Sequence, residues 1–277
     1  MKILITAASS YLGARIYFDL EKKYEVVGTY NTSKISLKFI QMDVTNRDEV
    51  FRIFELNKPD LIIHAAANPN ARWCEENPEI AKKINVGGTR NVVDAANAIG
   101  AKLVYISTLA ALDKSFVYGR TKFLAEEAAK ETKAGFIILR PSVIIGMSPN
   151  TANLRPFFNR ILKNLDEKTP AIYDISWKFH PTWIGHISEV IENVIEKKIK
   201  DEIITITVSE LKSRFDVARD ILSEFGISAE PKNDNDKVPP KELDQTKLKE
   251  FGMPVYSYSE IIEKIIGEIK NREKFKL

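Results

Sequence analysis

Short β-branched runs alternate with amphipathic stretches through the first half of the chain. Lys2–Thr6 is apolar and β-rich, and the small-residue turn Ala7-Ala8-Ser9-Ser10 follows it. Apolar residues then recur at helical spacing from about Tyr11 to Lys22. Glu25–Tyr30 reads as a second strand and Lys38–Gln41 as a short third. Thr45/Asn46 offers a cap for a helix over Arg47–Leu56. Asp60–Ala66 is almost wholly apolar, as a parallel strand covered on both faces must be. One long helix is expected over about Glu79–Ile99, closed by Gly100. A strand at Lys102–Ser107, a helix at Val117–Thr132 and a strand at Phe136–Leu139 complete this half. Strands and helices alternating at this pitch form βαβ units, whose right-handed crossovers build a doubly wound parallel sheet of the Rossmann type.

After about Ile145 the rhythm shortens. Helices are expected at Phe157–Leu165, His186–Lys198, Ser213–Phe225 and Tyr258–Ile269, with strands at Ala171–Ile175 and Ile203–Val208. Glu230–Lys241 is polar and Pro-rich and reads as a loop. The expectation is a dinucleotide-binding domain over residues 1–145 and a smaller α/β substrate lobe over 146–277, partly interleaved with the first.

Composition narrows the function classes. The chain has 277 residues, 44% hydrophobic and 29% charged, within the range of a globular protein. No apolar run reaches the roughly 18 residues of a membrane span, and the N-terminus reads as a strand rather than a leader. A cytoplasmic, non-membrane protein is expected. The net charge of +3, with both signs interspersed, gives no concentrated basic face for nucleic acid. Cys74 is the only cysteine, and His64, His180 and His186 have no ligand spacing, so no metal is expected. Abundant Ile, Lys and Glu lean towards a thermophilic source. The tryptophans Trp73, Trp177 and Trp183 either line a pocket or pack; packing is the favoured reading, except for Trp73, which lies just past the carboxyl end of the fourth strand.

A strand, a small-residue turn and a helix start together make an anion site, because unpaired N–H groups and the helix dipole point at it. The register here is Ala7-Ala8-Ser9-Ser10-Tyr11-Leu12-Gly13. Gly13 keeps the glycine needed for close helix–strand packing, while Ala7 and Ser10 replace the other two of the usual fingerprint. Backbone groups of Ala7, Ser9, Ser10, Tyr11 and Leu12 are the candidates for a pyrophosphate, with a Ser9 or Ser10 hydroxyl as donor. The second strand runs into Asn31 and Lys34 with no acidic residue for a ribose 2′-hydroxyl, and Lys34 suits a 2′-phosphate. NADP is therefore favoured, with NAD the alternative. Asp43 and Val44 after the third strand, and Ala65, Ala66 and Ala67 at the end of the fourth, are candidates for the adenosine side.

Tyr118 and Lys122 stand four apart at a helix start and so share a face. A ketone reduced by hydride needs a proton, and a tyrosine beside a cation can supply it. Thr108 follows the Lys102–Ser107 strand at the carboxyl edge, where doubly wound folds react, and its hydroxyl suits the substrate carbonyl. Ser107 is the runner-up for that role. Asn68, Asn153 and Arg155 are candidates for substrate contact, with Arg160 as a further diphosphate partner.

These residues carry a resemblance. Met42-Asp43-Val44-Thr45, His64-Ala65-Ala66-Ala67 with Cys74-Glu75, Ile84-Asn85-Val86-Gly87-Gly88-Thr89, Tyr105-Ile106-Ser107-Thr108, Tyr118 with Lys122, and Leu139-Arg140-Pro141 together resemble an extended short-chain dehydrogenase/reductase. Later landmarks are His180-Pro181-Thr182, Ser213-Arg214-Phe215 and Leu243-Asp244-Gln245-Thr246-Lys247-Leu248. The chain is most similar to the dTDP-4-dehydrorhamnose reductase-like branch, which also holds non-enzymatic regulatory members. The resemblance implies Thr108, Tyr118 and Lys122 as catalytic residues. It implies Asn85 as support for the central helix through its backbone and a water relay, and Pro141 to Val143 beside the nicotinamide. It implies a nucleotide-sugar substrate; an epimerase and a non-catalytic dinucleotide-binding regulator are the alternatives, and a homodimer is the oligomer considered. Between Thr108 and Tyr118 lie only Leu109 to Val117, without the acidic, Pro-rich insertion of the branch's reductases.

Overall fold

The computed structural model describes residues 1–150, 156–236 and 243–277. In chain order the first half comprises β1 (Lys2–Thr6), α1 (Tyr11–Leu20), β2 (Glu25–Tyr30), β3 (Ile40–Gln41), α2 (Arg47–Asn57), β4 (Leu61–His64), α3 (Ala71–Glu76), α4 (Pro78–Lys82), α5 (Gly88–Ile99), β5 (Lys102–Ile106), α6 (Val117–Ala129), β6 (Phe136–Pro141) and β7 (Val143–Ile145). The second half adds α7 (Pro156–Glu167), β8 (Ala171–Asp174), β9 (Lys178–Phe179), β10 (Pro181–Trp183), α8 (Ile184–Glu196), β11 (Glu202–Ile206), β12 (Lys212–Ser213), α9 (Arg214–Ser223), β13 (Ala229–Lys232), α10 (Thr246–Glu250) and α11 (Tyr258–Lys270).

The central sheet has seven strands in the order β11-β6-β5-β4-β1-β2-β3, all paired in parallel. The strand order reverses between β1 and β4, and the crevice for a dinucleotide in such folds opens outside the carboxyl ends at that point. Ile3, Leu4, Ile5, Ile62 and Ile63 are fully buried, which explains the unbroken apolar runs of β1 and β4. Helices cover both faces, giving one apolar layer around α1 and α8 and another around α2 and α5.

Three expectations change. The single helix over Glu79–Ile99 is interrupted by a π-helical turn at Lys83–Gly87. That wider turn buries Asn85 and Val86, and Gly88 sits so near Val44 that an added Cβ would fall 2.8 Å from its side chain. Of the expected loop Glu230–Lys241, residues up to Lys232 belong to β13, which pairs in parallel with β8; residues 237–242 lie outside the described part. The third strand shortens to Ile40–Gln41 because Phe39 turns inward onto Tyr17. The expected strand Ile203–Val208 appears as β11 and adds to the central sheet, with Ile203 opposite Ile138. Gly100 closes α5 in the left-handed conformation, as expected of a helix-terminating glycine.

Candidate active site

The phosphate turn is set by close packing. Ser10 caps α1, its oxygen accepting from the Gly13 N–H at 3.0 Å. A Cβ on Gly13 would lie 2.1 Å from the Ala7 carbonyl oxygen, so only glycine lets the helix sit this close to β1. Ala7 has φ +53°, a left-handed backbone that a glycine adopts without strain. An L-residue there costs about 1–2 kcal/mol, offset in part by the roughly 0.5–1 kcal/mol of extra chain entropy a glycine would lose. Ala7→Gly is therefore expected to stabilise the protein by about 0.5–1 kcal/mol, seen as a higher denaturation midpoint at unchanged slope. The loop after β7 closes over this turn. Tyr11 donates its hydroxyl to Gly146 O at 2.6 Å, Ser148 Oγ donates to Tyr11 O at 2.7 Å, and the buried Asn150 amide donates to Ser9 O. The tight turn, capped helix and enclosing loop fit a dinucleotide pyrophosphate.

Around the turn, Asn31 and Lys34 are exposed beyond the end of β2, with the Lys34 ammonium 5.8 Å from the Tyr30 ring centre. Asp43 is half-buried and uses one carboxylate oxygen on the Thr45 N–H at 2.8 Å; Val44 is buried. Ala65, Ala66 and Ala67 line up half-buried past β4.

A cavity of about 750 Å³ opens at the carboxyl edge of the sheet. Thr108, Tyr118, Pro141 and Val143 line it together with Ser107, the runner-up for the Thr108 role, so these sequence candidates meet there. Thr108 begins a 3₁₀ turn, Leu109–Leu112, and its hydroxyl oxygen accepts from Ala110 N at 3.2 Å. That turn packs on α6 at Gly119, where a Cβ would lie 2.0 Å from Asp113 O. The short segment before Tyr118 thus lies directly on the helix. Ser107 is committed elsewhere: its hydroxyl donates to Glu126 at 2.5 Å. Arg140 meets the same carboxylate with Nε at 2.8 Å and Nη2 at 2.5 Å.

Lys122 is buried one turn along α6 from Tyr118. Its ammonium donates to Ile106 O at 2.8 Å and lies 4.2 Å from the Tyr105 ring centre. Burial pulls its pKa down to about 7, against the opposing pull of the Glu126 carboxylate. Helix α6 has no side-chain cap of its own at Phe116; instead Glu75 of α3 accepts the Val117 N–H at 2.5 Å. Asn85 is fully buried. Its side chain joins two segments, accepting from Asn68 N at 2.8 Å and donating to Thr121 Oγ1 at 3.1 Å. It ties these segments together through its side chain, and its backbone carbonyl accepts from Thr89 Oγ1 at 2.7 Å. Asn68 is held by that side chain through its backbone, while its own side-chain oxygen accepts from Asn70 N at 3.1 Å.

The second half of the chain contributes Phe157, Trp177, Lys178, Phe179, His180 and Arg214 to the lining of the same cavity. Trp177 packs against the core as expected, and it also lines the cavity, with the Arg214 guanidinium 4.5 Å from its ring centre. Asp174 fixes it there by accepting the Trp177 N–H at 2.8 Å. The sequence signals were the Ser213-Arg214-Phe215 landmark and an aromatic-rich Trp177–Phe179 run, and neither states which face it presents. Trp183 does pack, and Trp73 is half-buried in a small cluster beside Tyr118. Arg160 turns away to Ile172 O at 2.7 Å. Asn153 and Arg155 lie outside the described residues. Among the described residues, no helix is long and apolar enough to cross a membrane.

The RmlD substrate binding domain family matches residues 1–257. A dTDP-4-dehydrorhamnose reductase from Aggregatibacter actinomycetemcomitans is 30% identical over 218 residues, covering 73% of this chain and 69% of that protein. Methionine adenosyltransferase 2 subunit beta from Rattus norvegicus is 25% identical over 246 residues, 82% of this chain and 72% of that one. The fold matches the crystal structure of dTDP-4-dehydrorhamnose reductase from Bacillus anthracis str. Ames in complex with NADP at a TM-score of 0.81, with 22% identity, 96% of this chain covered and 98% of that chain. With its seven-stranded sheet, its glycine-seated phosphate turn and a family match that spans nearly the whole sequence, the chain belongs to the RmlD substrate binding domain family, within the extended short-chain dehydrogenase/reductase type of NAD(P)-dependent oxidoreductase.

Proposed function

We propose that the protein reduces a keto group of a nucleotide-linked sugar with NADPH, NADH being the alternative donor, as a cytoplasmic enzyme. The observation that carries this reading is the gathering of Thr108, Tyr118, Trp177 and Arg214 around one cavity at the carboxyl edge of the sheet. A reduced nicotinamide, when bound, supplies the hydride. Pro141 and Val143 would shape the wall beside it, and the capped start of α1 would hold the pyrophosphate. Thr108 donates a hydrogen bond to the carbonyl oxygen as charge develops there. Tyr118 hands its phenolic proton to that oxygen, and the Lys122 cation stabilises the tyrosinate left behind. An indole with a guanidinium over it suits a nucleobase and diphosphate, since Arg combines stacking with paired donors.

A second reading is favoured by two specific observations: the strained Ala7 in the phosphate turn, and the similarity to a methionine adenosyltransferase beta subunit. In it the chain keeps a dinucleotide without turnover. The two are separated by titrating NADPH fluorescence and then following NADPH oxidation with dTDP-4-dehydro-sugars. Binding with turnover is expected; binding without turnover on any keto sugar supports the regulatory reading instead. Interconversion of UDP-sugars without net NADPH consumption would identify an epimerase.

A further inference from the structure

We propose that His64 is a positioning residue, held as the neutral Nε2–H tautomer in a one-way hydrogen-bond relay that ties the floor of the dinucleotide crevice to the helix carrying Tyr118. The direction follows from counting protons. Thr6 Oγ1 accepts from the N–H groups of Ala65 and Ala66, each at 3.1 Å, which uses both its lone pairs. Its single proton therefore goes to His64 Nδ1, 2.8 Å away. That nitrogen is then an acceptor, so the ring proton resides on Nε2 and is donated to Thr89 Oγ1 at 3.1 Å. Thr89 passes its own proton to the Asn85 carbonyl at 2.7 Å, within the π-helical turn. The Asn85 amide donates to Thr121 Oγ1, and Thr121 donates to Tyr118 O at 3.0 Å. Every donor points the same way, from the Ala65–Ala66 floor to α6.

His64, Thr6, Thr89, Asn85 and Thr121 are all buried, so no water competes for these bonds. Lys122 and the Tyr105 ring, 5.6 Å between ring centres, are the neighbouring groups from α6 and β5. Burial, and then the Lys122 charge, push the His64 pKa down to about 3. A protonated ring would have a donor at Nδ1 facing the Thr6 proton and would break the relay at its start. Asn85, within the π-helical turn, receives the relay on its carbonyl and sends it on through its side chain.

The functional half of this proposal rests on the reductase reading; the tautomer does not. Histidine labelled with ¹⁵N in the free protein is expected to show, for His64, an acceptor-type Nδ1 and a protonated Nε2, unchanged from pH 5 to 8. A protonated Nδ1, or a titration in that range, overturns the proposal whether or not the protein turns over a sugar. For the functional half, Thr89→Val keeps the volume and removes the middle link. It is expected to lower kcat by about 10-fold to 100-fold, with the KM for NADPH little changed, as a misplaced proton donor would. Combined with Thr121→Val it should add little further loss. His64→Gln, which keeps a donor towards Thr89, should recover most of the rate lost in His64→Leu. Wild-type kcat in Thr89→Val, or full additivity of the two threonine variants, overturns the coupling to Tyr118 even if His64→Leu fails to fold.

Discussion

Tyr118→Phe is expected to lower kcat by about 10²-fold to 10⁴-fold, the range for loss of a positioned general acid, with NADPH binding unchanged. The ring itself stays, keeping its contacts with the Trp73–Val117 cluster and with Phe116, 6.4 Å between ring centres, so the fold should be intact. The proton then has to come from a source other than this side chain. Steady-state NADPH oxidation and a fluorescence titration of NADPH on the same sample separate the two effects; near-wild-type turnover would remove Tyr118 from the proton-donor role. The pH dependence has a definite sign. Because burial pulls the Lys122 pKa down to about 7, the ammonium is charged below that pH and neutral above it in the protein without ligands. The tyrosinate loses its cation as Lys122 deprotonates. The kcat/KM profile, which reports the unliganded enzyme, should therefore fall on the alkaline side with a midpoint near 7. In Lys122→Met that limb should vanish along with most of the rate.

Glu268→Ala should cost about 3–5 kcal/mol of stability, because it leaves a buried guanidinium without its main counter-charge. For a chain of this size that is a fall in Tm on the order of 10 °C. The Glu268 carboxylate takes Arg15 Nη1 at 2.6 Å, Trp183 Nε1 at 2.9 Å and Met147 N at 2.8 Å. It thereby joins α11 to α1, to β10 and to the loop that closes over the phosphate turn. Arg15 and Glu268 expose only 7% and 9% of their side chains, so solvent cannot replace the lost partner. By contrast, Lys270–Glu224 at the same end of α11 is about half exposed on both sides, and its loss should cost under about 1 kcal/mol. Urea unfolding of Glu268→Ala beside Lys270→Ala tests the pair of numbers together. Equal, small losses would mean that the buried hub carries no special weight. Glu268 lies beyond residue 257, where the family match ends, yet it is what fastens the C-terminal helix to the first one.

The alternation of apolar runs and amphipathic stretches was enough to read the order of β1 through β6, because each central strand is buried on both faces and each helix on one. Local chemistry also showed through. Asn46 caps α2, Gly100 ends α5, and Gly13 marks the close seat of α1, since each requirement is met within a few residues. Thr108 and Tyr118 were legible as a pair because a strand end and the next helix start must come together at the carboxyl edge.

Other features depend on partners far apart in sequence. The π turn at Asn85 has no local signature; Asn68 and Thr121 hold that residue's side chain and Thr89 its carbonyl, all from other points along the chain. Trp177 packs on the core as an aromatic residue among apolar neighbours suggests, and that it also lines the cavity depends on the turn at Asp174 and on Arg214, 37 residues away. The strand at β13 was hidden in a polar, Pro-rich stretch because its pairing with β8 comes from backbone groups, which any sequence carries. Glu75 capping α6, and Glu268 holding Arg15, are charges whose partners lie 42 and 253 residues away. The sequence by itself determined the sheet and the candidate pair at its carboxyl edge, since burial periodicity and short-range capping are written locally. The tertiary structure alone decided how the pair is held and what faces it, since a hydrogen bond depends on where two chain segments meet and not on how far apart they are along the chain.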